Sequence, residues 1–204
     1  MGQRLLDRPK RRPGSPARMP VAAVPPATLA VFSTELGWFG LVGAGETVTR
    51  LFLGHTSAEQ VRSNALSQLQ RDAAGTSPPE LPLPEEDWHP KLRRAIQDFA
   101  RGVPTDFADV KIDLGQATPF RQRVLRLARG IGYGRTVTYG ELAARAGNRS
   151  AARAIGAVMA SNPIPIIIPC HRVVASGGSL GGFSAPQGVD LKRRLLEMEA
   201  ASAR

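Results

Sequence analysis

The chain has 204 residues, enough for one sizeable core or two small domains. No uninterrupted apolar run is long enough to span a bilayer, and the single cysteine excludes an intramolecular disulfide and nearly excludes a cysteine-based metal site. The net charge of +10 is uneven: residues 1–26 carry six Lys/Arg against one acid, residues 27–117 eight against twelve, and residues 118–204 thirteen against four. The last segment has the electrostatic footprint of a polyanion binder, although a generally arginine-rich composition explains the same count equally well.

Residues 1–26 are rich in Pro, Arg, Ala and Gly without periodicity and read as a disordered basic arm. They lack the apolar stretch of a signal peptide, so a cytoplasmic protein is expected. Leu29–Ser33, Gly37–Val42 and Thr47–Leu53 are short apolar runs broken by turn residues, the pattern of an antiparallel meander. Ser57 and Gln60 form a capping box for a helix whose apolar stripe is Val61, Ala65, Leu69 and Ala73. Gly75–Pro84 is a loop. Pro90 opens a second helix at its first turn, with Leu92, Ile96 and Phe99 facing in. This block reads as a small α/β domain.

Val110–Leu114 is a short strand or linker. Thr118-Pro119 starts a helix through about Arg129, and Gly130–Arg135 is a turn. Thr138 and Glu141 form a second capping box for a helix that runs to Ala146 and stops at Gly147. Ser150 caps the next helix, ending near Ser161, and the pair resembles a helix-turn-helix. The second helix presents mostly small residues, Ala151, Ala152, Gly156 and Ala157, with one cation, Arg153. Small residues suit close approach to a DNA groove or, more commonly, to a neighbouring helix. Ile164–Ile168 reads as a buried strand whose prolines deny it regular pairing, and it delivers Cys170 and His171 to its end. Gly177–Ser184 is a glycine-rich loop, and Asp190 caps a last helix through about Glu199.

A thiol attacks as thiolate and needs a base or a positive field. His171 is the obvious base, but neighbours on an extended chain point to opposite faces, so the pair needs a bend after Pro169 or a bridging water. A third group should orient the imidazole, and the acids downstream are Asp190, Glu197 and Glu199. A Cys-His dipeptide alone is weak evidence; an inert buried thiol is its default.

Pro169-Cys170-His171-Arg172-Val173, spaced after Asn162-Pro163, resembles the signature of the methylated-DNA–protein-cysteine methyltransferases, or O6-alkylguanine-DNA alkyltransferases. The helix pair, the Gly181-Gly182-Phe183-Ser184 loop and the closing Leu195-Leu196-Glu197-Met198-Glu199 match in order. The likeness is strong over about 118–199, weaker over 27–117 and does not cover 1–26.

The resemblance implies a ribonuclease-H-like α/β domain at 27–114 and a mainly α, winged-helix-like domain with the helix-turn-helix at 115–204. It implies a suicidal repair enzyme that moves an alkyl group from O6 of guanine, or O4 of thymine as a second candidate, to Cys170. His171 would take the thiol proton through a water, Glu199 would orient His171, and Asn162 would hold the active-site turn. Tyr139 would donate toward guanine N3, and Arg153 would enter the stack where the base leaves. Ser184 would stand near guanine O6, and the backbone of Cys170 and Val173 would read the guanine edge. Ala151, Ala152, Gly156 and Arg172 complete the expected DNA-contacting set. The implied partner is double-stranded DNA carrying O6-alkylguanine, met in the minor groove by a monomer, with no membrane and no cofactor. Some relatives hold zinc through Cys and His; here only His55 and His89 stand in the N-terminal half, so no metal site is expected and both are read as surface residues. Phe183 replaces a tyrosine common in relatives. Three other readings compete: a non-catalytic damage sensor, against which Cys170 argues; a DNA-binding regulator with a structural thiol; and a cysteine hydrolase, for which no oxyanion hole or separate base is visible.

Overall fold

Between Thr28 and His55 the chain doubles back at two tight turns, Glu35-Leu36 and Gly45-Glu46. The computed structural model describes residues 26–72 and 83–202, so nearly all of the expected arm, most of the Gly75–Pro84 loop and Ala73 lie outside the described residues. The turns give the expected meander: β1 (Thr28–Thr34), β2 (Gly37–Ala44) and β3 (Thr47–His55), antiparallel in sequence order. Gly37 is required at the first turn, since its φ is +102° and a Cβ there would stand 2.7 Å from the His55 carbonyl oxygen. The Val110–Leu114 alternative resolves as a strand, β4 (Lys111–Ile112), parallel to β3, which makes the sheet mixed.

Helix α1 (Ala58–Asp72) lies on the sheet with Val61 and Ala65 buried. The fit is close because β2 offers Gly40: a Cβ there would fall 2.4 Å from a Val61 methyl. Ser57 Oγ accepts from Gln60 N, but the return bond of the expected capping box goes from Thr56 N, not Ser57 N, to Gln60 Oε1. Helix α2 (Pro90–Ala100) starts on its proline and buries Leu92, Ile96 and Phe99 as the pattern predicts.

In the second half, Thr118 caps α3 (Pro119–Arg129), and both halves of the Thr138/Glu141 capping box are made at the start of α4 (Tyr139–Arg145). Gly147, at φ +87°, ends that helix. The cap of the following segment is Asn148, not Ser150: Asn148 Oδ1 accepts from Ser150 N and Oγ, and one 3-10 turn, Arg149–Ala151, precedes α5 (Ala152–Ala160). The last helix, α6 (Gly188–Ser202), begins two residues before Asp190, which instead pairs with Arg193 in the first turn. Two short strands, β5 (Val137–Thr138) and β6 (Val173–Val174), pair in parallel and tie the start of α4 to the segment after Cys170. One apolar cluster takes residues from both sides of the expected boundary at 114/115, including Phe39, Leu41 and Ile96 before it and Leu125, Leu142 and Ile155 after it.

Candidate active site

The isoleucine-rich segment is not a strand. Three prolines follow Asn162, Ile164 and Ile168, and each biases the residue before it toward extended backbone. The reversal is therefore forced onto Ile166-Ile167. Ile164 O accepts from Ile168 N, Pro165 O accepts from Ile167 N, and Ile166 is driven to φ +69°. For a β-branched residue that conformation costs about 1–3 kcal/mol and persists only where the surroundings over-determine it. Here they do: Ile164, Ile166, Ile167 and Ile168 are all buried, and Asn162 clamps the turn by donating from Nδ2 to Ile168 O (2.7 Å) and accepting at Oδ1 from Ile164 N (3.1 Å). Leu51 N of β3 donates to Pro163 O, so the first sheet braces the same turn.

The turn leads into a short 3-10 turn, Cys170–Arg172. This answers the problem of adjacency, because successive side chains on a 3-10 turn diverge by about 120° instead of facing opposite ways. Cys170 is buried, 6% exposed, yet lines a cavity of about 600 Å³. Burial pushes its thiol pKa up, while the nearby Asn162 amide and the charge of Lys192 pull the other way. The resting group is a thiol that needs a base.

His171 is fully buried and its Nε2 lies 2.8 Å from Glu199 Oε1. Burial would raise the Glu199 carboxyl, but the His171 and Arg172 hydrogen bonds and charges overcome it and hold the pKa at about 2. An ionised carboxylate can only accept, so Nε2 carries the proton and Nδ1 keeps a free lone pair. That Nδ1 is buried with no hydrogen-bond partner among the described residues. Burial lowers the His171 pKa, so the ring rests neutral. Glu199 also accepts from Arg172 Nε (3.0 Å) and Nη2 (2.9 Å) and from Gly134 N (3.0 Å). Glu197 is exposed on the other face of α6. Arg172 corrects an expectation: it is 6% exposed, donates through Nη1 to Ile131 O and packs on the Tyr133 ring, so it braces Glu199 and is not free to meet DNA.

Lys192 carries no role in the sequence reading. It is fully buried, donates to Val173 O at 2.7 Å and lies 5.7 Å from the centre of the Tyr139 ring. Burial lowers its pKa to about 8. Spacing could have flagged it: Leu191, Leu195 and Glu199 are the buried stripe of α6, and Lys192 sits beside the first and seven residues before the last. Tyr139 is half-buried, and burial followed by the Cys170 charge raises its pKa, so its hydroxyl stays protonated and able to donate. The Gly181 loop rests directly on it; a Cβ at Gly181 (φ +70°) would stand 2.8 Å from the Tyr139 oxygen.

Ser184 lines the same cavity, but its Oγ donates to Ala160 O at 2.6 Å. Val173 is buried, and its carbonyl already accepts from Lys192, leaving one lone pair there. His55 also corrects an expectation: it is 3% exposed, within reach of Asn64 at 3.4 Å, and lines the cavity; His89 is half-buried. No cluster of three or more metal-ligating side chains occurs among the described residues.

On α5, Arg153 is exposed and makes no hydrogen bond or ion pair among the described residues. Ala151 and Ala152 are half-buried at its start. A Cβ added at Gly156 would meet nothing within 4 Å, so packing against a neighbouring element does not explain why that position is small.

Residues 119–201 match the family described as 6-O-methylguanine DNA methyltransferase, DNA binding domain. The methylated-DNA–protein-cysteine methyltransferase of Methanopyrus kandleri is 43% identical over 130 residues, 60% of this chain and 95% of that protein. The protein of the same name from Methanothermobacter thermautotrophicus is 46% identical over 114 residues, 55% of this chain but only 61% of its own length. Among solved structures, Mycobacterium tuberculosis O6-methylguanine methyltransferase superposes with a TM-score of 0.70 at 31% identity, covering 87% of this chain and 95% of that one. The M. tuberculosis OGT in complex with DNA gives 0.67 at 31%, covering 86% and 94%.

Proposed function

The chain belongs to the methylated-DNA–protein-cysteine methyltransferase family, and from that membership we propose that it repairs DNA by direct reversal, moving an alkyl group from O6 of guanine to Sγ of Cys170. The observation that carries the reading is the fixed tautomer of His171. Its Nε2 proton is committed to Glu199, and its basic Nδ1 is buried without a partner among the described residues, on the residue that follows a cysteine that burial keeps protonated.

In this mechanism Nδ1 takes the thiol proton through a bridging water. The thiolate, stabilised by Asn162 and Lys192, then attacks the saturated carbon in line with O6. The S–C bond forms, the C–O6 bond breaks, and the electron pair passes to the guanine, which gains a proton. Tyr139, a protonated donor, supports that departure by hydrogen bonding toward N3. The product is a thioether with no easy hydrolysis route, so one protein molecule removes one lesion.

The O6 atom lies inside the duplex, so the base must leave the stack, at a cost of a few kcal/mol. An unpaired, exposed Arg153 suits insertion into the gap, and the small α5 face with open space at Gly156 suits minor-groove approach. We read 27–114 as a ribonuclease-H-like domain, 115–204 as a winged-helix-like domain, and the working unit as a monomer. Arg172 is excluded from the DNA-contacting set, and the Ser184 hydroxyl reaches O6 only by releasing Ala160 O. O4 of thymine is a second candidate target.

The test is incubation with duplex DNA carrying O6-methylguanine, followed by mass measurement of the Cys170 peptide. The expected result is one methyl per protein, none in Cys170→Ala. Tight binding without methylation would point to a damage sensor, and repeated turnover in excess DNA would sink the single-use mechanism. Arg153→Ala should slow transfer from duplex far more than from the free modified base; equal slowing would remove its insertion role.

A further inference from the structure

The cavity beside Cys170 is far larger than a methyl group requires. Its volume is about 600 Å³, and its lining joins Cys170, Phe183 and Ser184 to residues of β3 and of the end of α1. Its lining carries three guanidinium groups. Arg50, Arg71 and Arg121 meet a single carboxylate, Asp72. Asp72 is taken by Arg50, at 2.7 and 3.1 Å, while Arg71 donates to Gln68. Arg121 donates to Ser161 Oγ and Ser161 O, and has no carboxylate partner among the described residues. Two of its five N–H donors are thereby occupied. Burial and then the neighbouring Arg50 charge lower the Arg121 pKa, so like charges crowd one wall.

In an in-line displacement, groups on the attacked carbon project sideways from the O6–C–Sγ axis, into whatever space flanks the sulfur. Here that space leads toward an excess of guanidinium. Resting on the alkyl-transfer reading above, we propose that this cavity is a subsite for O6 substituents ending in a carboxylate, recognised by Arg121 and Arg50. With a carboxymethyl lesion, the Sγ–CH2 bond forms and the CH2–O6 bond breaks. The guanine keeps the electron pair and gains the proton that the thiol gave up. The carboxylate passes through unchanged, leaving S-carboxymethylcysteine at Cys170.

The experiment compares single-turnover rates of the full chain on duplexes carrying O6-carboxymethylguanine, its neutral isostere O6-carbamoylmethylguanine, and O6-methylguanine. The readout is the carboxymethyl-to-carbamoylmethyl ratio, which cancels general effects on the active site. It should be about tenfold in the parent chain and fall with rising salt. It should drop to about one when Arg121→Gln and Arg50→Gln are combined. If that pair does not fold, Arg121→Gln alone, which strands no carboxylate, must still lower the ratio. A parent ratio near one, or a ratio the variants leave intact, overturns the subsite. Failure to transfer methyl from O6-methylguanine would instead overturn the activity reading itself.

Discussion

Replacing Glu199 with Gln tests the buried network behind the thiol. Glu199 is 1% exposed and holds His171, Arg172 and Gly134. Gln is nearly isosteric but carries no charge, and its amide end turns a donor toward groups that themselves donate. Arg172, 6% exposed, would keep its charge but lose its only carboxylate among the described residues, left with neutral acceptors and the Tyr133 ring. Stranding one member of a buried ion pair costs about 3–5 kcal/mol. Against a total stability of about 5–15 kcal/mol that is a large share. At about 2–4 °C per kcal/mol for a chain of this size, Tm should fall by roughly 6–20 °C. Transfer should slow about 10²–10⁴-fold in the remaining folded protein, since His171 loses both its tautomer and its aim. Urea unfolding at pH 7.5 gives the first number and single-turnover methyl transfer the second. The double variant Glu199→Met, Arg172→Met should be more stable than the single one, because it strands no charge. A single variant within about 1 kcal/mol of the parent, or a double variant no better than the single, would refute the argument.

Lys192→Met removes a positive charge that favours the Cys170 thiolate, so the pH profile of Cys170 alkylation by iodoacetamide should move upward; an unmoved profile would mean that the lysine only packs. Gly156→Ala should raise stability by about 0.5–1 kcal/mol, because its side chain enters open space in a helix, whereas Gly156→Leu should fold equally well yet bind DNA more weakly; equal DNA binding by all three would disconnect this face from the groove. Stability should also fall with acid in two stages. His171 is held below its ordinary 6.5, so the unfolded chain takes up that proton first and stability drops as pH falls below about 6.5. Glu199 adds a further loss between 4.5 and about 2. Urea midpoints at pH 7.5, 6 and 5 that do not decline would contradict the neutral buried imidazole.

What could be read from the sequence was what local chemistry decides. The Thr138/Glu141 box, the Pro90 start and the meander turns each depend on residues within four positions of one another, and all stand where the pattern puts them. The isoleucine run failed as a strand because β-branched residues signal burial and extension alike. Here three X-Pro restrictions converted burial into a turn, a conflict that composition alone does not rank. Glu199 was favoured over Glu197 through its place in the closing motif, and its contact with His171 depends on how α6 docks. Arg172 enters the expected DNA-contacting set only through the resemblance; its actual partner lies 27 positions away, beyond the reach of local pattern. The sequence pattern assigns Lys192 no role; full burial of a lysine is rare, and here it depends on how α6 docks.

The two-rung ladder between β5 and β6 has a kinetic consequence. It fastens the start of the helix pair to the residue that follows the Cys170 turn, and Lys192 bolts the same rung from behind. The spacing between the surface that would track a duplex and the sulfur is thus set when the chain folds, and DNA must conform to it. In an enzyme that cycles, such stiffness would slow the opening that frees product, often the slowest step. On the single-use reading proposed above, the protein frees nothing from its sulfur. It can hold its reacting atoms rigidly without trading speed against release.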